Sequence, residues 1–599
     1  MPKRYEKIKS IDGQHPFKQA APGAYVEYQV RRRSRGRIRF FNFPLAKEMG
    51  LIPASEEHEL NPELNEVLLD TFGLIIINEY DLAQGARFKA GDIKPHRYMA
   101  TRYLQLQHPD KKGLQSGDGR SIWNGYVQHR GKTWDISSCG TGATRLSPAT
   151  ALNQVFFRTG DPTISYGCGY STLSEGLIDV LFSEILNRNN IPTERVLCVI
   201  EFPGGYSVTV RAGLNLLRPS HFFNHLKQAN LPGLKNVTDY YIDRQVGNGV
   251  WQAAARNRYD EFLKRMTETF ATISANFEAQ YIFCWLDWDG DNILADGGII
   301  DFGSVRQFGL YFHEYRFDDD ERWSTTIKEQ KQKARYTLQC FAQAVDFIKT
   351  GHKKTVQEFK NHPCLKEFQQ IFEQRKRDLL LWRIGLKPKD RQLLMRYYVR
   401  KIEKFEKLFY SLEQRKSSIG PQTVPDGINW PVLFSMRRLL AILPQNIRSQ
   451  QDLLKPDELL QMIRSSHVPP SAASMTPYLR RQLTVIQKLY YELLRSLAKR
   501  RRLSLTQVLS EIEPRSQLIN RDDRITGDSI CLIGEKLVRL SHELDTQKFH
   551  ALLENFARQQ ILNPDYHPSK YEFTLDLPDR IEKFLNELGQ LVYEYREGI

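Results

Sequence analysis

The chain has 599 residues, of which 41% are hydrophobic and 26% charged, and its formal net charge is +15. This length accommodates two or more domains with substantial cores, and the composition is that of a globular protein rather than a disordered or fibrous one. No apolar run reaches the length of about eighteen residues that a membrane span needs, and the first residues lack the apolar core of a signal peptide. We therefore expect a cytoplasmic protein.

The cysteines and the basic runs carry no chemistry of their own. The seven cysteines are dispersed, without Cys-x-x-Cys or zinc spacing, so we expect reduced and mostly structural thiols. Basic residues concentrate at 31–39 and 499–502. Such runs can bind nucleic acid or acidic membranes, but they are more often solvated or paired with acids of the same protein. Because no nucleic-acid motif accompanies them, nucleic acid is the weaker interpretation of the positive charge.

The first 320 residues have a mixed pattern. Strand-like runs occur at Ser121–Trp123, Thr133–Ile136, Arg195–Phe202 and Tyr206–Val210, and Phe72–Ile77 is a buried strand at most. Helical periodicity covers Ser174–Asn187 and Tyr259–Glu278. Glu184 falls within the apolar stripe of the first helix, which predicts a structural acid with a buried partner.

Residues 321–599 have helical periodicity. Its clearest segments are Thr326–Ile348, Arg391–Leu412, Thr476–Leu497 and Arg580–Tyr595, and Ser- and Pro-containing stretches at 413–430 and 464–475 are predicted as loops. We therefore predict a catalytic region over 1–320 and an all-helical region over 321–599, the latter serving as scaffold or interaction surface.

The segment 285–303 holds most of the candidate chemistry. Asp296-Gly297 is a two-residue hairpin signal, and counting outward places Asn292 opposite Asp301, roughly 5 Å away. One amide oxygen and one carboxylate with phosphate and water suit Mg²⁺. An acidic hairpin that binds nothing is the plain alternative. A calcium loop fails, because Asn292 and Gly298 stand where an EF-hand needs Gly and Glu.

Glycines upstream could cradle phosphates. Gly117, Gly119 and Arg120 precede a strand, and Gly140 and Gly142 follow one. Glycine allows close backbone approach, and a guanidinium grips phosphate. Each turn alone is a weak signal, but the order of turns, helix, strands and metal hairpin is that of a kinase.

Taken together, these residues resemble the selenoprotein O (YdiU) family over roughly residues 20 to 315. The motifs include Ala46–Leu51, Gly117–Arg120, Ser171–Glu175, Pro219–His221, Asp291–Asn292 and Asp301–Gly303. The resemblance implies an α+β protein-kinase-like bilobal fold, followed here by the large all-helical C-terminal region. It also implies ATP bound in reverse relative to ordinary kinases, Mg²⁺ (with Mn²⁺ as the alternative metal), and transfer of AMP to protein hydroxyls.

The resemblance assigns roles to individual residues. Asp291 takes the general-base position, and Asn292 and Asp301 take the metal positions. With the glycine turns included, the expected nucleotide contacts are Gly117, Gly119, Arg120, Cys139, Gly140, Gly142, Asp161, Glu175, Arg218 and Asp301.

The chain departs from the family at its ATP-site lysine. Cys139 stands at that position and cannot supply a cation; Lys132 and Arg145 are candidate replacements. The ion-pair Glu of the family falls on Glu175 by motif, or on Asp179 if the helix is aligned without a gap.

Four hypotheses follow. The leading one is ATP- and Mg²⁺-dependent adenylylation of Ser, Thr or Tyr on protein substrates, with the protein itself among the candidate substrates. A kinase-like phosphotransferase is the nearest alternative, because Asp287 lies five residues before Asn292, as in protein kinases. Loss of the lysine favours an impaired nucleotide-binding scaffold, and a nucleic-acid-binding module is the weakest reading.

Overall fold

A computed structural model describes residues 4–105, 108–164, 167–252, 256–284, 289–316, 326–450, 453–572 and 578–598. Its first strands are β1 Tyr25–Arg32, β2 Arg37–Phe41, β3 Leu74–Ile76, β4 Ile93–Thr101, β5 Ser121–His129, β6 Lys132–Cys139, β7 Ser171–Thr172, β8 Arg195–Phe202 and β9 Tyr206–Gly213. They form one antiparallel sheet in the order β2-β8-β9-β6-β5-β4-β1-β3, with β7 paired to β9. The four strand-like runs between 121 and 210 lie within this sheet, and of the run Phe72–Ile77 only Leu74–Ile76 is strand.

The sheet is strongly curled. β1 and β2 lie six positions apart in the strand order, which in a flat sheet is roughly 29 Å. The connection at 33–36 spans five residue steps, which reach about 18 Å at most. The two sides of the sheet must therefore curve toward each other. Gly36 lies at this closure, where a Cβ would meet the Leu69 side chain at 2.9 Å.

Helices cover the sheet on both faces. The helices of the first part are α1 Glu6–Lys9, α2 Phe17–Ala20, α3 Phe43–Glu48, α4 Pro62–Phe72, α5 Glu79–Ala83, α6 Pro148–Asn153, α7 Leu173–Arg188, α8 Pro219–Lys227, α9 Leu231–Gly247 and α10 Arg258–Gln280. The two predicted helices correspond to α7 and α10. The buried Glu184 of α7 accepts hydrogen bonds from Arg195 and Asn42, so its prediction as a partnered structural acid is confirmed.

The second part is mainly helical. Its helices are α11 Ile327–Thr350, α12 Pro363–Arg383, α13 Pro388–Tyr397, α14 Val399–Glu413, α15 Met436–Gln450, α16 Pro456–Ile463, α17 Pro477–Arg501, α18 Leu505–Ile519, α19 Gly527–Glu543, α20 Thr546–Gln559 and α21 Asp579–Glu594. The predicted helix Arg391–Leu412 is in fact two helices, because the chain leaves helical geometry at Tyr398. The mixed α and β character of the chain is confirmed.

Short strands follow the large sheet, and two of them, β13 and β14, lie in the second part, so the all-helical prediction is wrong in this detail. β10 Ile282–Cys284 pairs with β11 Val305–Gln307, and β12 Tyr315–Arg316 pairs with β14 Gly427–Asn429, which pairs with β13 Gln422–Val424. The last two strands lie where a loop is predicted. Pro425-Asp426-Gly427 between them is a strong turn signal, which explains the hairpin.

The hydrophobic core joins the two parts. One cluster combines the sheet, α7 and α10 with α19, α20 and α21, whereas a second is built from residues 380–512. The division at residue 320 stays a prediction, since 317–325 lie outside the described residues. Among the described helices, none combines the length and apolarity that a membrane crossing requires.

The segment after α21 returns to the core beside β11. The buried Glu597 carboxylate receives the Arg438 guanidinium at 2.5 Å and the Ser465 hydroxyl at 2.8 Å. Its backbone carbonyl accepts the N–H groups of Gly309 and Leu310. A Cβ at Gly309 would lie 1.9 Å from the Arg596 carbonyl oxygen, so only glycine permits this approach.

We expect Glu597→Ala to lower the free energy of unfolding by about 3 kcal/mol, because it removes one partner of a buried ion pair. Denaturant-induced unfolding of the full chain measures the change. Glu594→Ala, at an exposed position of α21, is the matched control and should shift the midpoint little. Equal effects of the two substitutions would contradict the role assigned to Glu597.

Candidate functional site

A cavity of about 380 Å³ lies between the concave sheet, the start of α7 and the segment 289–303. Such a volume suits a small ligand. Six residues predicted from the sequence line it: Gly119, Arg120, Cys139, Glu175, Arg218 and Asp301. Residues more than 180 positions apart in the chain thus meet around one space.

The Gly-Asp-Gly-Arg turn before β5 is held by a buried carboxylate. Asp118 accepts hydrogen bonds from the Thr101 N–H at 2.8 Å, the Thr101 hydroxyl at 2.6 Å and the Trp123 indole N–H at 3.1 Å. A Cβ at Gly117 would lie 2.1 Å from the Thr101 carbonyl oxygen, and one at Gly119 2.9 Å from Ser147. The turn is therefore locked against β4 and α6, with Gly119 facing the cavity.

Arg120 forms an ion pair with Glu175 across the cavity. Its guanidinium lies 2.7 Å from the carboxylate and also donates to the Tyr170 carbonyl. Glu175 is the third residue of α7, and its carboxylate caps the helix by accepting the Thr172 N–H and the Ser171 hydroxyl. These donors, Arg120 foremost among them, outweigh burial and lower the pKa of the Glu175 carboxyl.

Cys139 ends β6 inside the cavity, and a cation absent from the sequence prediction lies beside it. Arg211 on β9 is 8% exposed and lines the same cavity. β6 and β9 pair Ser137 with Arg211, and the guanidinium donates to the hydroxyls of Ser137 and Ser121 at 3.2 Å. Glu194, 3.6 Å away, favours its charged form.

The position of Arg211 is marked in the sequence. It is the one charged residue of β9, a strand otherwise made of small, hydroxyl-bearing and apolar residues. A charge inside such a strand costs free energy unless it is paired, so it marks a position with a partner or a function. Lys132 and Arg145, the replacements considered for the family lysine, do not line the cavity.

Arg218 positions the backbone of the acidic segment. It precedes α8, and its guanidinium donates to the Asp291 carbonyl oxygen and lies 4.6 Å from the centre of the Tyr103 ring. His221, on the first turn of α8, accepts the Arg218 N–H and contacts the Thr101 hydroxyl at 2.9 Å. The predicted phosphate-binding arginine is thus adjacent to the predicted base.

The hairpin register differs by one residue from the prediction. Ile293 pairs with Ile299, the Leu294 N–H donates to the Gly298 carbonyl, and the Ile300 N–H donates to the Asn292 carbonyl. The loop therefore has three residues, 295–297. The predicted pairing of Asn292 with Asp301 is wrong; Asn292 faces Ile300, and the same register sets Asp301 at the level of Asp291.

The longer loop has a physical cause. The Asp296 carboxylate accepts the Gly298 N–H at 3.0 Å, and Gly297 has a φ of +89°. A turn followed by a left-handed glycine is the usual three-residue hairpin loop. Asp301 also has a positive φ, +67°, so the chain turns sharply where Asp301 enters the cavity.

The donor set fits a magnesium ion. Asp301 contributes a half-buried carboxylate to the cavity. Asn292 is opposite Ile300, the residue that precedes Asp301. The described residues contain no cluster of three His, Cys, Asp or Glu side chains that could hold a metal ion. Mg²⁺ commonly uses one or two carboxylates with phosphate and water, so this sparse set suits it. Asp287 lies outside the described residues.

The remaining predicted nucleotide contacts do not line the cavity. Gly140 and Gly142 instead permit close packing, since a Cβ at these positions would lie 2.3 Å from the Ser207 carbonyl oxygen and 2.6 Å from Ile76. Asp161 accepts hydrogen bonds from Thr163 in an outer loop. Gly117 packs against β4, as described above. Asp179, the alternative to Glu175, does line the cavity, and burial followed by repulsion from Glu175 raises its carboxyl pKa.

The basic runs are largely engaged within the protein. Arg33 stacks on Tyr170 and Phe202, and Arg39 pairs with Glu201 at 2.6 Å. Arg501 pairs with Glu511 at 3.0 Å. These contacts give the runs a structural role. All seven cysteines are free, as the sequence predicts.

We expect the stability of the hairpin to depend on pH through Asp296. Burial raises its pKa to about 6 from 3.8. The folded state therefore holds a proton that the unfolded state releases, and stability falls as pH rises from about 4 through 6. Asp296→Asn should remove this dependence.

Denaturant unfolding at pH 4.5, 5.5 and 7 checks the sign. The wild type should lose stability relative to Asp296→Asn across this range, whereas Glu57→Gln, an exposed carboxyl in an outer loop, should run parallel to the wild type. Parallel curves for Asp296→Asn and the wild type would show that Asp296 stays ionised.

The sequence matches a protein family and several of its members. The family model described as "Protein adenylyltransferase SelO" matches residues 49–557. The protein nucleotidyltransferase YdiU of Paraburkholderia xenovorans is 26% identical over 242 residues, which cover 39% of this chain and 42% of that protein. YdiU of Shewanella halifaxensis is 26% identical over 247 residues (39% and 46%), and that of an Exiguobacterium species 25% over 274 residues (44% and 52%). The matches to these relatives span about half their length or less.

Proposed function

Because the chain belongs to the SelO family, we propose that it transfers AMP from ATP to Ser, Thr or Tyr hydroxyls of proteins. The observation that carries the proposal is the convergence of three guanidinium groups and Asp301 on one cavity, with Asp291 beside it. Cations placed where phosphate charge shifts supply most of the catalysis in such transfers. A cytoplasmic location and self-modification belong to this proposal.

The proposed fold is kinase-like and bilobal. The curled sheet with α7 forms one side of the cavity, and Asp301 of the acidic segment with Arg218, which precedes α8, forms the other. The Arg120–Glu175 pair joins the turn before β5 to the first turn of α7, a connection between sheet and helix that kinases make with a lysine and a glutamate.

The arginines would bind the triphosphate. Arg120 and Arg211 lie on the sheet side beside Cys139, and Arg218 lies on the side of the acidic segment. A guanidinium offers several donors in a fixed plane, which suits phosphate oxygens. Asn292 and Asp301 would hold Mg²⁺, whose charge would offset that of the phosphates when it is bound.

The transfer step would proceed at the α-phosphorus. The acceptor hydroxyl oxygen forms a bond to this phosphorus, the bond from the α-phosphorus to the bridging oxygen breaks, and pyrophosphate leaves. Asp291 accepts the hydroxyl proton. Arg218 supports this role, because its bond to the Asp291 carbonyl fixes the backbone that carries the base.

We expect α-labelled ATP, and not γ-labelled ATP, to label protein, and Asp291→Asn to reduce transfer by about 1,000-fold. Autoradiography of the purified chain with a mixture of protein acceptors measures both. Asp289→Asn serves as the matched control for a neighbouring acid.

The outcome separates the alternatives. Transfer of only the γ label, lost in Asp287→Asn and retained in Asp291→Asn, would identify a kinase-like phosphotransferase. Nucleotide binding without transfer of either label would support the impaired nucleotide-binding scaffold. The cysteine at position 139 favours that alternative.

The scaffold alternative depends on whether Arg211 supplies the missing cation. We expect Arg211→Gln to weaken ATP binding by about 10- to 100-fold, because a hydrogen bond between charged groups contributes about 1.5–3 kcal/mol. Arg211→Lys should retain most of the affinity.

Calorimetric titration with ATP and Mg²⁺ measures these affinities. Glu194→Gln keeps the cation while removing its buried partner, and thereby controls for disruption of the pair. If Arg211→Gln binds ATP as the wild type does, the phosphates do not contact Arg211, and its role is limited to its hydrogen bonds within the sheet.

A further inference from the structure

Exposed apolar side chains gather beside the nucleotide cavity. Leu152, Val155 and Phe156 at the end of α6 are 66%, 58% and 45% exposed, and Leu114 is 49% exposed. Single exposed apolar residues are ordinary, but a contiguous group is typical of an interaction site. Three of these four residues lie within five positions of the sequence.

Two of these side chains, Val155 and Phe156, border a groove. An open cavity of about 470 Å³ is lined by Val155, Phe156 and Thr150 on one side and by Gln115 and Asp110 on the other. Arg145 contributes to the same lining. The groove therefore combines an apolar wall with polar groups, as a peptide-binding surface does.

The outward position of these side chains is built into the fold. The next residue, Phe157, is buried against Ala143 and Ala149. The Asn78 side-chain amide donates to the carbonyl oxygens of Phe157 and Ala143 at 3.1 and 3.2 Å. With Phe157 anchored, the preceding residues face outward.

The groove is continuous with the nucleotide cavity through α6. Pro148, the first residue of α6, lines the nucleotide cavity, and Thr150 and Ala151 of the same helix line the groove. The Ser147 hydroxyl caps α6 and donates to the carbonyl oxygen of Gly167, another residue of the nucleotide cavity. A chain seated in the groove would thus have the cavity within a few residues' reach.

The charge around the groove is mainly positive. Lys111, Lys112 and Arg145 are exposed along the segments that form it, against the single half-buried Asp110 in its lining. Arg158 follows two residues after Phe156 and has Asp161 beside it. Opposite charge on a partner steers encounter and selects among partners. The rim therefore favours an acidic segment, and the wall favours a large apolar side chain within it.

We propose that this groove docks the acceptor protein through a segment that carries a large apolar side chain flanked by Asp or Glu, while the acceptor hydroxyl enters the nucleotide cavity. The proposal names the substrate class for the function proposed above and rests on it. The apolar side chain packs on Val155 and Phe156, and Arg145 with its basic neighbours faces the flanking carboxylates.

The test uses three synthetic peptides and the full chain. Each peptide carries one Thr acceptor and a fluorophore; the first adds Asp-Glu-Leu-Phe-Asp, the second replaces its acids with Lys, and the third replaces Leu and Phe with Ser. Fluorescence anisotropy measures binding in the presence of ATP, and α-labelled ATP measures transfer. We expect the first peptide to bind at least ten-fold more tightly than either of the others.

Variants locate the binding to the groove. Val155→Asp should weaken binding of the first peptide at least ten-fold without changing ATP affinity, and Arg145→Glu should shift the preference toward the second peptide. Val250→Asp, at a position 52% exposed and away from both cavities, is the matched control and should behave as the wild type.

The outcomes distinguish the two proposals. Binding of the first peptide without AMP transfer to any protein would support the docking groove and contradict the proposed adenylyltransferase activity. Transfer to protein that Val155→Asp leaves unchanged, or equal binding of all three peptides, would overturn the groove. Self-association of the chain that Val155→Asp abolishes would assign the groove to a second copy and overturn the proposal as well.

Discussion

The ion pair between Arg120 and Glu175 is the contact on which the arrangement of the cavity depends. Arg120 follows the glycine turn that Asp118 locks to β4, and Glu175 lies in the first turn of α7, where its carboxylate also caps the helix. One carboxylate therefore fixes a helix start and a guanidinium at once. Displacing α7 would remove the helix cap and separate the two half-buried charges. The sheet and α7 are thus held in one relation, and the cavity keeps its width.

The cavity has a buried cation next to Cys139, the position where the resemblance predicts a lysine. Cys139 is a thiol whose pKa burial raises, so it adds no charge. Arg211 lies on the neighbouring strand beside it, and Glu194 offsets the cost of its burial. The cation therefore lies on β9, whereas Cys139 ends β6, and both residues line the same cavity. Three guanidinium groups, those of Arg120, Arg211 and Arg218, thus share the cavity with the carboxyl groups of Glu175, Asp179 and Asp301.

The sequence predicts those features that depend on local pattern. The boundaries of β8, α7 and α10 follow from periodicity and capping residues, and the partner of Glu184 follows from the cost of a buried carboxylate. The hairpin register does not follow, because the Asp296 side chain accepts a backbone N–H and lengthens the loop by one residue. Arg211 reaches the cavity through the pairing of β6 with β9, which no local pattern specifies. The groove beside α6 likewise depends on segments 30 residues apart that only the fold brings together.

The helices after residue 326 contact the first part of the chain at positions that the sequence does not reveal. Gly534 of α19 packs where a Cβ would meet Ile178 of α7 at 2.7 Å, and Arg188 at the end of α7 pairs with Glu554 of α20 at 2.8 Å. Glu597 holds the backbone of Gly309, two residues after β11. α7 carries Glu175 at its start, and the chain leading into β11 carries Asp301. The later helices and the segment after α21 therefore contact the elements that carry Glu175 and Asp301. They are structurally part of the site.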